Sequence, residues 1–93
     1  MSKYTWVVCR DERLGHSSDA IGRIGPPGAK DRARFDHVII HGTHFRLLNR
    51  DGDVCYLGYI EGDYSGREPL DDFGLDNNCT DIQYERFGEW VSA

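Results

Sequence analysis

The stretch HFRLLNRDGDVCYLGYI, residues 44–60, decides the fold, because Asp51-Gly52 separates two apolar runs of strand-forming residues. Asp-Gly is typical of a two-residue type I′ turn, in which both central residues take a positive φ. The pattern therefore predicts a β-hairpin, and a turn of this length determines which residues face each other across it. The predicted pairs are Leu47 with Tyr56 and Leu48 with Cys55.

Three other segments are predicted to be strands. YTWVVCR (4–10) is rich in aromatic and β-branched residues, and HVIIH (37–41) is another run of strand-forming residues. TDIQYERFGEWVS (80–92) alternates between apolar and polar residues, and Gly88 permits a turn within it. Together with the hairpin, these segments provide five or six short strands.

The segments between the strands are long. Residues 11–36 contain four glycines and two prolines, and residues 61–79 form a loop in which one helical turn is expected after Pro69. We therefore predict a mainly β fold, or an α+β fold if these loops carry helices. The expected architecture is a single small antiparallel sheet, curled or barrel-like, with long loops and at most one or two short helices.

The 93 residues predict a single domain, 1–93. A chain of this size buries only about 60–65% of its unfolded surface, so its core is modest. No apolar run approaches the ~20 residues that cross a bilayer, and the first residues lack the pattern of a signal peptide. We therefore expect a soluble, cytoplasmic protein with no membrane partner.

The three cysteines, Cys9, Cys55 and Cys79, show no C-x₂₋₄-C spacing of the kind that structural zinc sites use. In the cytosol they are expected to be reduced thiols. Cys9 and Cys55 lie within apolar runs and are predicted to be small core residues, whereas Cys79, at the end of a loop, is predicted to be more exposed.

Charge is distributed unequally along the chain. Residues 1–50 carry five acids and nine bases, a net charge of +4, whereas residues 51–93 carry eleven acids and two bases, a net charge of −9. The segment EGDYSGREPLDDFGLDNNCTD, residues 61–81, holds seven carboxylates and one arginine, and we call it the acidic segment. Such self-repulsion costs stability, which the binding of a partner can justify.

Aromatic residues lie between these acids, which is typical of a surface that binds a partner and does not only keep the protein soluble. We therefore predict that the acidic segment is a binding surface; the alternative is a solvated loop. Its carboxylates are expected to pair with basic groups, and its two aromatic residues to act as apolar anchors. The predicted partner-binding residues are Glu61, Asp63, Tyr64, Glu68, Asp71, Asp72, Phe73 and Asp76.

No catalytic motif in the sequence is complete. GRIGPPGAKD (22–31) lacks a P-loop hydroxyl, because Asp31 stands where Ser or Thr is required. NRDGDV (49–54) lacks the ligands of a calcium loop, since Leu47 and Gly58 occupy its first and last ligand positions. We therefore predict no catalytic residue, no cofactor and no bound metal.

The histidines of HVIIHGTH, residues 37–44, are the best candidates for chemistry. On a strand His37 and His41 would lie about 13 Å apart, too far for one metal, whereas His41 and His44 could meet around a turn. HGT resembles the His-x-Thr element of two-histidine phosphoesterases, which need two such elements. A small histidine-dependent hydrolase that uses His37, His41 and His44 is therefore one alternative function.

A second alternative assigns binding to the basic N-terminal half. The bases from Arg23 to Arg34 could touch nucleic acid or an acidic partner. A dimer that pairs the basic half of one chain with the acidic half of another is also left open.

The C-terminal pattern EPLDDFG...NNCTDIQY...GEW, residues 68–90, resembles one found in short uncharacterised bacterial and mobile-element proteins. The match covers about a quarter of the chain and implies no activity. In type alone, the size, the acidity and the lack of a catalytic motif are similar to those of phage-encoded inhibitors of host defence, including anti-CRISPR and anti-restriction proteins. No residue role follows from that likeness.

The leading hypothesis is a small, non-enzymatic, acidic inhibitor that docks on a basic nucleic-acid-binding protein of the host. Surfaces that contact phosphates need Lys and Arg, so an acidic protein can occupy them and exclude the nucleic acid. This hypothesis involves no small-molecule substrate and no direct binding of nucleic acid.

Overall fold

The computed structural model describes residues 4–15, 19–26 and 35–92. Their strands form one antiparallel, six-stranded sheet, which confirms the predicted mainly β class. The strands are β1 (Tyr4–Asp11), β2 (Ile24–Gly25), β3 (Thr43–Leu48), β4 (Val54–Gly62), β5 (Asp81–Arg86) and β6 (Glu89–Ser92). Their order is β2-β1-β4-β3-β5-β6, so β2 and β6 are the edges of a sheet that does not close into a barrel.

One predicted strand is a helix. Residues 37–41 belong to α1, Phe35–His41, and the prediction of a strand there is wrong. The β-branched residues of this segment oppose a helix only weakly. The buried contact of Val38 and the packing of α1 against β1 and β4 outweigh that preference. Gly42 ends the helix, and its N–H donates to the Val38 carbonyl at 2.7 Å.

The β3–β4 hairpin forms with a longer connection than predicted. Leu47 pairs with Tyr56 as expected, but Leu48 pairs with Val54 instead of Cys55. Of Asp51 and Gly52 only the glycine has a positive φ, 86°, so the predicted type I′ turn is wrong. The cause is the side chain of the residue that opens the loop. Asn49 Oδ1 accepts hydrogen bonds from the N–H groups of residues 51 and 53, both at 2.9 Å, and stabilises the loop 49–53.

The core lies on one face of the sheet, which we call the covered face. Alternating residues of β1, β3, β4 and β5 point to this side, Trp6, Phe45 and Leu47 among them, and all three are buried. A short π-helix, Leu70–Gly74, packs its buried Leu70 and Phe73 against them. It continues into a 3₁₀ turn, Leu75–Asn77. The helical turn predicted after Pro69 is therefore confirmed.

The opposite face is covered only in part among the described residues. There α1 contacts β1 and β4, and Val7 and Val38 are fully buried. The rest of this face, formed by β3, β5, β6 and the adjoining side of β4, carries half-buried and exposed side chains. We call it the open face. None of the helices in the described ranges is long and apolar enough to cross a membrane.

The three cysteines are free thiols, but their burial differs from the prediction. Cys55 is buried in the core as expected, whereas Cys9 is only half-buried. Cys79, predicted to be more exposed, is buried as a member of the core cluster, and its N–H donates to the Gly74 carbonyl at 2.9 Å. Burial raises the pKa of Cys79 to about 12.

Candidate functional site

The carboxylates of the acidic segment divide into two groups. The first group is half-buried, and its members are held by neighbouring groups of the protein: Glu61, Glu68 and Asp72. The second group is exposed: Asp63, Asp71, Asp76 and Asp81. The two groups differ in burial and in their contacts, although the sequence predicted the same role for most of them.

Asp72 attaches the acidic segment to the first strand. Its Oδ2 accepts hydrogen bonds from Tyr4 Oη at 2.8 Å and from Trp6 Nε1 at 2.9 Å. Burial, followed by this hydrogen bond, raises the pKa of Tyr4 to about 12. Because Trp6 is buried in the core, Asp72 anchors the π-helix to the sheet rather than presenting charge to a partner.

Glu68 holds the turn that precedes the π-helix. Its carboxylate accepts hydrogen bonds from the N–H of Ser65 at 2.6 Å and the N–H of Gly66 at 2.8 Å. Partial burial alone would raise the pKa of Glu68, but the hydrogen bonds from these two amides outweigh it and lower the pKa. The carbonyl of Gly66 in turn accepts the hydroxyl of Tyr84 at 2.8 Å, which ties the turn to β5.

Glu61 lies on the other side of the sheet from the π-helix. It is the partner of Thr5 in the β1–β4 ladder, whereas the core residue Ile60 precedes it and points to the covered face. Its Oε2 lies 3.0 Å from His37 Nε2 on α1. The structure therefore does not bring Glu61 together with the exposed aspartates, in contrast to the predicted grouping.

Phe73 is not a surface anchor, and the prediction that it contacts a partner is corrected. Only 4% of it is exposed, and its ring lies 5.8 Å from Trp6 and 5.0 Å from Tyr56. Tyr64 is half-buried and stacks on Tyr84 with the ring centroids 5.8 Å apart, so part of its ring remains accessible.

The exposed aspartates lie on a segment that Glu68 and Asp72 hold in place. Within the ranges that the structure describes, none of the four forms an ion pair. Asp81 pairs with Leu48 across β3 and β5, which places it beside the loop 49–53 and the exposed Asp51 and Asp53 of that loop. The exposed acids therefore extend beyond the segment that the sequence singled out.

Two arginines also reach this end of the sheet, which the sequence did not indicate. Arg13 Nη2 donates to the hydroxyl of Tyr56 and lies 3.5 Å from the carbonyl of Asn77. Arg50 is exposed in the β3–β4 loop. Bases therefore lie among the exposed acids near Asp76 and the loop 49–53, whereas Asp63 and Asp71 lie on other parts of the chain.

The three histidines of the alternative site lie on two elements, α1 and β3. The rings of His37 and His41 lie 4.5 Å apart on α1, since the segment is helical. His44 instead stacks on Tyr59, with ring centroids 4.5 Å apart, and its Nδ1 lies 3.5 Å from Glu85 Oε2. No group of three metal-binding side chains is present among the described residues.

The basic stretch of the second alternative falls largely outside the described residues. Arg23 is described and exposed. Residues 27–34, which contain the remaining bases of that stretch, lie outside the described ranges.

The open face carries a cluster of polar and aromatic side chains that the sequence did not predict. Arg46 lies over the Trp90 ring, 4.4 Å from its centroid, and its Nε donates to Gln83 Oε1 at 2.8 Å. His44 meets the edge of the same tryptophan at 5.1 Å. Alternation along β3 and β5 was the available signal, because these residues occupy the positions between the core residues.

No family model, curated protein or solved structure matches this chain.

Proposed function

We propose that this protein is a small, non-enzymatic binding protein that docks on a basic surface of a nucleic-acid-binding protein and thereby excludes nucleic acid. One observation carries the proposal. Asp63, Asp71, Asp76 and Asp81 are exposed without an ion pair in the described ranges, while Asp72 and Glu68 hold the same segment rigidly.

A fixed array of carboxylates suits this function for two physical reasons. Surfaces that bind nucleic acid present Lys and Arg to the phosphates, so carboxylates of opposite charge can occupy them. A segment that is already ordered also loses little conformational freedom on binding, which leaves more of the interaction energy as affinity. Electrostatic attraction between the two surfaces predicts fast association that weakens as salt is added.

The contact residues in this proposal are a subset of those predicted from sequence. Asp63, Asp71 and Asp76 would meet the basic partner, with Tyr64 as the accessible aromatic, and Asp81 extends the surface. Asp72, Glu68 and Phe73 act within the protein, where they position the others. Charge reversal at Asp72 is therefore a poor test of binding, because it would disturb the fold.

The experiment is a pull-down from host lysate with the tagged protein, eluted by a salt gradient and analysed by mass spectrometry. We expect one nucleic-acid-binding protein, released by salt and displaced by added DNA or RNA. Recovery of nucleic acid alone, or of no specific protein, would contradict the proposal.

A matched pair of variants then tests the surface. The double substitution Asp71→Lys, Asp76→Lys is compared with Asp19→Lys, Glu89→Lys, which changes the net charge equally at exposed positions elsewhere. We expect the first pair to weaken partner binding about tenfold or more and the second about threefold or less, because direct contacts outweigh the general field. Equal losses would remove the aspartates from the interface.

A further inference from the structure

An open cleft lies between α1 and the β5–β6 hairpin, beside the open face. Its volume is about 580 Å³, within the range of small-ligand sites. Ile40 forms one wall and is 73% exposed, and Phe87 forms the other and is fully exposed. The stacked rings of His44 and Tyr59 also line the cleft.

Phe87 occupies a backbone conformation that aromatic residues seldom adopt. Its φ is 53° and that of Gly88 is 82°, so both residues of the β5–β6 turn have positive φ. Asn or Asp is the usual residue at such a position, because a bulky side chain there is strained. The fully exposed ring contributes no buried packing that would offset this strain. Its one evident structural consequence is an apolar wall on the cleft.

The accessible charge in the cleft is negative. Among the described residues that line it, Glu85 and Arg86 carry opposite charges, and the third ionisable group beside them is His44, whose Nδ1 lies 3.5 Å from Glu85 Oε2. Arg86 points to the covered face, where its guanidinium lies 5.8 Å from the centroid of the Tyr84 ring. The Glu85 side chain is 47% exposed and lies on the same face as His44. The last carbonyl groups of α1 add a partial negative charge at the same end.

We propose that this cleft binds an arginine side chain of the basic partner. The aliphatic stem of the arginine lies between Ile40 and Phe87, and the guanidinium meets the Glu85 carboxylate beside the stacked rings of His44 and Tyr59. A planar guanidinium can stack on aromatic rings and pair with a carboxylate at once, which an ammonium group does less well. The inference rests on the proposed function for the source of the arginine, but the cleft can be tested without that partner.

The test is a titration of the ¹⁵N-labelled protein, followed by ¹H–¹⁵N correlation spectra, with two capped peptides. One is acetyl-Gly-Arg-Gly-amide, and the other carries citrulline, which has the shape of arginine without its charge. We expect the arginine peptide to shift the amide signals of Thr43, His44 and Glu85 with a dissociation constant in the millimolar range, roughly −4 kcal/mol. We expect the citrulline peptide to bind at least about fivefold more weakly, since it lacks the charge-assisted contact.

Three variants complete the test. Glu85→Gln and Phe87→Asn should each weaken binding of the arginine peptide about threefold or more. Glu89→Gln removes the same charge from the same hairpin. Because Glu89 lies opposite Arg86 in the β5–β6 ladder, on the covered face, this variant should change binding less than about twofold. Equal binding of the two peptides, or absence of shifts in the cleft up to about 20 mM peptide, would overturn the inference.

Failure of the cleft and failure of the proposed function give different results. If the peptides do not bind the cleft but the Asp71 and Asp76 variants still lose the partner, only the arginine site is wrong. If the arginine peptide binds but the lysate yields no nucleic-acid-binding protein, the cleft stands as a cation site and the proposed function is wrong.

Discussion

Asp71 and Asp72 are adjacent and chemically identical, so they offer a test in which each variant controls for the other. Asp71 is exposed and its side chain forms no hydrogen bond or ion pair among the described residues, whereas Asp72 accepts hydrogen bonds from Tyr4 and Trp6. Both lie in the π-helix, so replacement by alanine changes the helical preference of each position by the same amount. The difference in stability between Asp71→Ala and Asp72→Ala therefore measures the two hydrogen bonds.

The magnitude follows from the two contacts. A hydrogen bond to a charged group contributes about 1.5–3 kcal/mol, and half-burial of Asp72 favours the lower end of that range. At about 1.5 kcal/mol for each of the two bonds, we expect Asp72→Ala to cost about 3 kcal/mol, and it leaves the Trp6 indole N–H, in a residue that is 3% exposed, without its carboxylate partner. Asp71→Ala should stay within about 0.5 kcal/mol of the parent protein. For a domain of this size, the loss at Asp72 corresponds to a fall in Tm of about 10–20 °C.

The assay is urea unfolding, followed by tryptophan fluorescence and by circular dichroism, with thermal unfolding as a second measure. Asp72→Asn should lie between the parent and Asp72→Ala, because its amide oxygen still accepts hydrogen bonds but carries no charge. Equal stabilities for Asp71→Ala and Asp72→Ala would refute the division of the acidic segment into anchoring and exposed carboxylates.

Two further predictions concern the β5–β6 turn and the phenol of Tyr4. Phe87→Asn should increase the free energy of unfolding by about 0.5–1 kcal/mol in urea, because it relieves positive-φ strain and removes no buried surface; a decrease would mean that Phe87 packs against part of the protein. The pKa of Tyr4 is raised from 10.0 to about 12, so its neutral form is favoured in the folded state, and the resulting stability is present below pH 10 and lost as the pH rises towards 12. Urea unfolding at a series of pH values should therefore show the parent protein losing more stability than Tyr4→Phe across that window, whereas parallel losses would contradict the assignment of the shift to Tyr4.

The local residue pattern was sufficient to predict an element where the residues of that one segment alternate between apolar and polar or form an apolar run. The alternation of Ile82 and Tyr84 predicted β5 and its buried side, and the apolar runs around the β3–β4 loop predicted that hairpin. The helix α1 could not be predicted in this way. Its short β-branched run is compatible with a strand or a helix, and packing against β1 and β4 selects the helix.

In the candidate site, too, the local residue pattern could not predict contacts between distant segments. Composition and order located the negative charge in residues 61–81, because a count of charges needs no fold. They could not distinguish Asp71 from Asp72, since only the placement of β1 beneath the π-helix gives Asp72 its two donors. The β5–β6 turn and α1 are likewise far apart in sequence, so the cleft between them had no signal in either segment alone.

The sequence by itself determined the class of the fold, the position of most strands and the excess of acid in the second half of the chain. Each of these depends on the chemistry of neighbouring residues and on the two-residue period of a strand. Only the tertiary structure decided which carboxylates anchor the fold and which are exposed. Hydrogen bonds and burial join residues across long separations in the chain, such as the 66 positions between Trp6 and Asp72.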